Sequence, residues 1–231
     1  MVKILVTGGD GRFAQELKKI SSRYNFIFRN KKKLDILSIK SIKKEVNKFK
    51  PKILLHLAGL SRPMNIHDKK ISKSIDLNII GTANLVKVCS EKKIKIIFFS
   101  TSYVYPGTKG NYKENDSLLP WNNYGWSKLG AESSVQMYKN SLIIRACMTE
   151  EPFAHKFAFT NVKSNFIFHN QFAHLLIKVI NKKGIINIGG KSQTIYNFAK
   201  KTKNVKKKIS TGELPLKMDM NLNKLKKFLN K

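Results

Sequence analysis

Apolar residues recur along this chain in two alternating rhythms. Val2 to Val6 is a short run broken only by Lys3, and it ends at the turn Thr7-Gly8-Gly9-Asp10-Gly11. From Arg12 onward, Phe13, Leu17 and Ile20 return at helical spacing. The change of period then repeats: an apolar run at Phe26 to Phe28, a helical stretch from Ser38 to Phe49 closed by Pro51, and a run at Ile53 to Leu57. Further on, the pattern predicts a helix over Ile71 to Lys93, a strand at Ile94 to Phe99, a helix at Tyr124 to Tyr138 and a strand at Leu142 to Arg145. Strands that are apolar on both faces and alternate with helices predict an α/β protein, a parallel sheet covered by helices on both sides.

After Arg145 the rhythm loosens into a polar, aromatic stretch. A helix at Phe172 to Ile180, a strand at Gly184 to Ile188 and a last helix at Asn221 to Asn230 follow, the last with Leu222, Leu225 and Leu229 on one face. No internal repeat and no Pro- or Ser-rich linker separates the two parts. The expectation is a core over residues 1–146 and a small, shortened lobe with the terminal helix over residues 147–231, packed on the same body.

Composition narrows the classes. With 231 residues and 42% hydrophobic side chains the chain can fill a core, which argues against global disorder. Lys and Arg number 45 against 14 Asp and Glu, a formal charge of +31 that would attract nucleic acid, anionic membranes or phosphate-bearing small molecules. No RNP-like or helix-turn-helix signature accompanies the charge, so runs such as Lys31-Lys32-Lys33 and Lys206-Lys207-Lys208 read as a solvated cationic face and no nucleic-acid partner is expected. Cys89 and Cys147 lack a CxxC partner, which argues against disulfides and structural zinc and fits a reducing cytoplasm. No apolar stretch approaches the ~18 residues of a membrane span, and the first residues form a strand pattern rather than a charged leader. His56, His67, His155, His169 and His174 show neither HxH nor HxxxH spacing, so no metal is expected.

The first strand, turn and helix place backbone N–H groups where a pyrophosphate can sit. Gly8 and Gly11 supply backbone freedom there, and Ala14 is the small residue that lets helix and sheet approach. The run Thr7-Gly8-Gly9-Asp10-Gly11-Arg12-Phe13-Ala14 resembles the extended short-chain dehydrogenase/reductase family, whose spacing is TGxxGxxG or TGxxGxxA. The resemblance implies a Rossmann-type doubly wound sheet and a nicotinamide cofactor gripped by Thr7, Gly8, Gly9, Gly11, Arg12 and Phe13. It also implies that Asp35 and Ile36 lie beside the adenine and that Leu57, Ala58 and Gly59 form the loop under the cofactor. After the second strand stand Arg29, Asn30 and Lys31, where an NAD-selective protein would carry an acidic residue, so NADPH is favoured over NADH.

Tyr124 and Lys128 have the YxxxK spacing, which on a helix sets phenol and ammonium on one face. Carbonyl reduction needs a proton donor, and a neighbouring cation stabilises the phenolate of a group whose free pKa is near ~10. Upstream, the run Phe99-Ser100-Thr101-Ser102-Tyr103-Val104-Tyr105 ends a strand. The family resemblance makes Thr101 the hydroxyl that binds the substrate carbonyl, Lys128 also the group that holds the nicotinamide ribose, and Asn78 of Asp76-Leu77-Asn78 a residue that orders the site.

The run TyrGlyTrpSerLysLeuGlyAlaGlu at 124–132 and the segment Gly184 to Gly190 are similar to dTDP-4-dehydrorhamnose reductases and related nucleotide-sugar enzymes. That resemblance implies reduction of a nucleotide-linked 4-keto-6-deoxy sugar for a surface polysaccharide, with substrate contacts at Ser102, Tyr103 and Arg145. Ser102 and Tyr103 stand where nucleotide-sugar 4,6-dehydratases carry Asp and Glu, which disfavours elimination, although the reductases themselves place Asp where Ser102 stands. The stretch between Arg145 and Phe166 is short for a sugar-binding insertion. Three outcomes stay open: a pocket completed in a homodimer, a smaller substrate, or a lobe without catalysis. The competing functions are an NAD-dependent nucleotide-sugar epimerase and a non-catalytic regulatory subunit on the same fold.

Overall fold

The computed structural model describes residues 1–230. Its first part runs β1 (Val2–Thr7), α1 (Arg12–Lys18), β2 (Tyr24–Arg29), α2 (Ile39–Phe49), β3 (Ile53–His56), α3 (Ile66–Lys69), α4 (Ile71–Ser74), a π-helical turn (Ile75–Ile80), α5 (Gly81–Glu91), β4 (Lys95–Thr101), α6 (Asn123–Gln136) and β5 (Ser141–Ala146). The second part runs β6 (Met148–Thr149), β7 (Phe157–Phe159), β8 (Lys163–Ser164), β9 (Ile167–Phe168), α7 (His169–Val179), β10 (Gly184–Ile188), β11 (Gln193–Thr194), α8 (Ile195–Ala199), β12 (Lys206–Lys208) and α9 (Asn223–Leu229).

Six strands form one sheet in the order β10-β5-β4-β3-β1-β2, every pair parallel. The chain leaves β1 for β2 on one side and crosses back to β3 on the other, so the connections diverge between β1 and β3. A crevice opens at the carboxyl ends of the strands at such a switch point. This is the doubly wound α/β architecture that the alternating rhythm and the family resemblance imply.

The sheet divides the apolar residues into two cores. Ile4 and Val6, Ile53 and Leu55, Ile97 and Phe99, and Leu142 and Ile144 face Phe13 and Leu17 of α1, Phe172 and Leu176 of α7, and Leu225 of α9. The alternate residues Leu5, Leu54, Ile96, Phe98 and Ile143 face Ile42 and Val46 of α2, Leu85 and Val88 of α5, and Ala131 and Val135 of α6. Full burial of each such side chain is worth about 1.5–3 kcal/mol, so both helical layers are bound chiefly by this apolar contact. Helix starts are fixed locally: Ser38 accepts from Ser41 N at 3.2 Å and Asn122 from Gly125 N at 2.8 Å.

Three elements differ from the sequence pattern. The helix expected over Ile71 to Lys93 begins earlier and is interrupted, and its middle widens into the π-helical turn. There Gly81 lets Ile36 approach, since a Cβ would lie 2.6 Å from its Cδ1. The fourth strand runs to Thr101, and Lys95 at its start is buried because its ammonium donates to Ile180 O at 2.7 Å and Lys182 O at 2.6 Å. The loose stretch after Arg145 holds three short pairings, β6 with β9, β7 with β12 and β8 with β11, around a cluster of Phe153, Val162, Phe168, Ile195 and Phe198. From the same part, β10 joins the main sheet beside β5, and α7 and α9 cover one of its faces.

Candidate active site

A cleft of about 930 Å³ lies at the carboxyl ends of β1, β3 and β4. The glycine turn and the loop after β3 form its floor, β4 and α6 its back, and the segment after β5 its far wall.

The floor is knit by buried hydroxyls. Thr7 Oγ1 accepts the N–H groups of Leu57 at 3.2 Å and Ala58 at 3.1 Å and lies 2.9 Å from His56 Nδ1. Thr82 donates to Asn78 O at 2.6 Å, so His56 Nε2 must donate to Thr82 Oγ1 at 3.0 Å, and Nδ1 accepts from Thr7. Burial, helped by the nearby Lys128, lowers the His56 pKa to about 3 and keeps the ring neutral for these roles. Thr7 thus ties β1 to the β3 loop instead of facing the cleft. Gly8, at φ +68°, approaches the same loop so closely that a Cβ would sit 2.7 Å from Ala58 N. Gly9 lies against β2, donating to Arg29 O at 2.8 Å, while Gly11, Arg12 and Phe13 line the cleft with Gly8.

On the back wall the structure brings Thr101, Tyr124 and Lys128 together. Tyr124 and Lys128 share the inner face of α6, which packs on the 3-10 turn Ser102–Val104 through Gly125, where a Cβ would come 2.4 Å from Tyr103 O. Burial pushes the Tyr124 phenol up to about 12, against the smaller opposite pulls of the Thr101 hydroxyl and Arg62. The phenol is therefore protonated at neutral pH. Burial also lowers Lys128 to about 7, opposed by Glu132. Its ammonium lies 4.2 Å above the Phe98 ring. Asn78, on the π-helical turn, donates to Leu60 O at 2.9 Å and Ser127 Oγ at 2.8 Å and accepts from Leu60 N at 2.7 Å. Ser127 in turn donates to Tyr124 O at 2.8 Å, so Asn78 sets the spacing between the β3 loop and α6. Gly59, at φ +149°, makes room for the Asn78 amide, which a Cβ would approach to 2.9 Å.

Ser102 and Tyr103 line the cleft, and Tyr103 packs against Trp121 at 5.1 Å and edge-on to Tyr124 at 6.0 Å. Other expected site residues lie elsewhere. Arg145 requires a correction: instead of meeting substrate it is 2% exposed, donates to both carboxylate oxygens of Glu132 at 3.2 and 2.9 Å, and reaches Tyr105 Oη and Glu114 O at 2.9 Å. With its donors engaged and solvent excluded, it anchors α6 and β5. Arg29 is likewise engaged, 2.5 Å from Glu45 and 4.3 Å above the Phe49 ring. Asp35 accepts from Leu37 N at 3.0 Å in a turn, and Ile36 is core.

Sequence reasoning missed His56, Gly125 and Ser127, whose roles depend on partners in other elements. It also missed the pair Arg62 and Glu150, joined at 2.9 Å across 88 positions of sequence, a distance that no local spacing signals. Ser100 Oγ, on the β4 back of the cleft, is buried without a hydrogen-bond partner, and the Lys128 ammonium, over the Phe98 ring, makes no hydrogen bond or ion pair among the described residues. A polar ligand with ribose hydroxyls and a carboxamide, such as a nicotinamide dinucleotide, fits both. Among the described residues no group of three or more His, Cys, Asp or Glu is arranged to hold a metal ion, and no helix is long and apolar enough to cross a membrane.

Residues 2–162 match the family model described as RmlD substrate binding domain. The chain is 32% identical over 102 residues to methionine adenosyltransferase 2 subunit beta of Xenopus laevis, a match covering 44% of this chain and 30% of that protein. It is 28% identical over 134 residues to dTDP-4-keto-6-deoxy-D-glucose reductase of Streptomyces niveus, covering 57% of this chain and 46% of that one. The chain thus spans less than half the length of these curated relatives. Its fold superposes on a dTDP-4-dehydrorhamnose reductase from Bacillus anthracis in complex with NADP, with a TM-score of 0.85 and 21% identity over 100% of this chain and 92% of the other. By the matched residues and the parallel sheet that carries them, this chain belongs to the RmlD substrate binding domain family, among the extended short-chain dehydrogenases/reductases.

Proposed function

We propose that the protein is an NADPH-dependent reductase of a nucleotide-linked 4-keto-6-deoxy sugar, acting in the cytoplasm. The observation that carries this reading is the convergence of Thr101, Tyr124 and Lys128 on one wall of the cleft whose floor is the glycine turn. Gly8, Gly11, Arg12 and Phe13 would hold the dinucleotide's phosphates, Leu57 to Gly59 would lie beneath it, and Lys128 and Ser100 would meet its ribose and carboxamide. NADPH, when bound, supplies the hydride.

Thr101 donates a hydrogen bond to the sugar carbonyl oxygen and polarises it. Tyr124 then delivers its proton to that oxygen as carbon 4 accepts hydride, giving the alcohol. The buried phenol suits this direction because it carries its proton at neutral pH. Lys128, still partly protonated near pH 7, steadies the phenolate left behind. With Arg29 held by Glu45, the exposed lysines Lys31 to Lys33 are the cations available to a ribose 2′-phosphate. Ser102 and Tyr103 bear on the sugar, and a homodimer would supply further wall to the shortened lobe. The test is NADPH oxidation with dTDP-4-keto-6-deoxy sugars by wild type and Tyr124→Phe; equal rates would sink the mechanism.

A second reading, a regulatory subunit that binds the dinucleotide without turnover, is supported by the likeness to methionine adenosyltransferase 2 subunit beta of Xenopus laevis. NADPH binding with no turnover on a panel of keto-sugars would favour it.

A further inference from the structure

Two arginines face each other at the mouth of the cleft, and one carboxylate lies between them. Arg12 opens α1, Arg62 stands in the loop after β3, and Glu150 follows β6 on the far wall. Glu150 accepts from Arg62 Nη1 at 2.9 Å on one oxygen and 3.1 Å on the other, pairs with the Arg12 guanidinium, and accepts from Thr149 Oγ1 at 3.1 Å. The side chains are 53% exposed for Arg12, 34% for Arg62 and 22% for Glu150, so the cluster is open to ligand and to ions. Burial works against ionisation of Glu150, but its own backbone amide and the two guanidiniums outweigh burial and hold the carboxyl below the usual range. His155 and His169 also face the cluster, and burial lowers the pKa of each, which leaves them neutral at pH 7.

We propose that Glu150 is a built-in anion that occupies the Arg12–Arg62 pair until the diphosphate of a dinucleotide replaces it, and that it thereby sets the affinity and charge preference of the cleft. Two guanidiniums hold one carboxylate charge, so the cluster keeps a net positive charge. A diphosphate brings two or more negative charges and oxygens enough for both forks, and it offsets the loss of the Glu150 contacts. A neutral nucleoside offers no such replacement and leaves the clasp closed. Because Glu150 comes from the far wall, its release also frees that wall from the phosphate turn. The inference rests on the dinucleotide reading of the cleft.

Titration of NADPH and of adenosine into purified wild type, Glu150→Gln, Glu150→Asp and Glu91→Gln, each checked by thermal melting, tests the proposal. Glu91 pairs with Lys43 on the opposite face of the sheet, so its variant makes the same charge change away from the cleft. Glu150→Gln is expected to bind NADPH about three- to tenfold tighter, as for loss of a competing, partly exposed ion pair. Glu150→Asp, too short to reach both guanidiniums, should shift in the same direction by less. Glu91→Gln should match wild type, and adenosine binding should not respond to any variant. NADPH binding that is unchanged or weaker in both folded Glu150 variants overturns the proposal, as does an equal gain in Glu91→Gln. A wild-type protein that binds neither NADPH nor NADH overturns the dinucleotide reading itself.

Discussion

The floor and the far wall of the cleft are built by different means. On the floor, Thr7, His56, Thr82 and Asn78 form one buried chain of hydrogen bonds, and Thr7 receives amides 50 and 51 positions away. Gly8 and Gly9 there press against backbone. The wall instead stands on two- and three-residue strand pairings and on rings that meet at 4.6 to 6.4 Å, such as Phe168 and Phe153 around Phe198. Its polar link to the floor is a solvent-accessible ion cluster. Directional, buried bonds fix positions to a fraction of an ångström, whereas apolar contact tolerates rearrangement at conserved volume. The floor's bonds continue from Asn78 through Ser127 to Tyr124, so positions are fixed on the side of the proposed chemistry, whereas the far wall can adapt to a ligand's shape.

The sharpest test of that division is Tyr124→Phe, expected to cut keto-sugar reduction by about 10²–10⁴-fold while NADPH affinity holds. Comparable loss from Phe153→Ala on the wall, with NADPH affinity held, would erase the contrast. Next comes Glu132→Gln, which leaves buried Arg145 without its counter-charge and should cost about 3–5 kcal/mol in urea unfolding. A cost under about 1 kcal/mol would mean that α6 does not depend on the pair. Gly8→Ala should destabilise by about 2–4 kcal/mol, from positive φ and collision with Ala58 together, whereas Gly184→Ala, at φ +85° with open space, should cost only about 1 kcal/mol. Equal costs would show that the floor is as forgiving as the second part of the chain.

The last test is a pH slope. Lys128 titrates near 7 when folded and near 10.5 when unfolded, so between those values the unfolded chain holds a proton that the folded chain has released. The buried charge therefore costs the fold most below that window, and the cost is relieved as pH rises across it. Lys128→Met should melt closer to, or above, wild type at pH 6.5 and fall behind it toward pH 9.5; parallel melting curves would refute the buried cation.

The strands, the glycine turn and the YxxxK pair were legible because each is carried by neighbours within a few residues. Arg145 was not: a basic residue at the end of an apolar strand looks like a ligand contact until Glu132, Tyr105 and Glu114 close around it. The pairing of Arg29 was hidden for the same reason, its partner Glu45 lying on the next helix. The π-helical turn left no trace because one inserted residue blurs a helical period without replacing it. Pairings such as β8 with β11 are too short to express an alternation, and Lys206 to Lys208 carries no apolar face at all, so its place as β12 beside β7 is set by tertiary contact.

The position of β10 also orders events in time. It fills the place beside β5, yet it lies beyond a whole helix and four short strands in the chain, and the ammonium of Lys95 waits on carbonyls at Ile180 and Lys182. A chain emerging from the ribosome holds its glycine turn and α6 before the outer flank of β5 is paired. A pause in translation between residues 146 and 184 therefore leaves an open, apolar strand edge exposed to other chains, and the vulnerability ends when Ile188 is released.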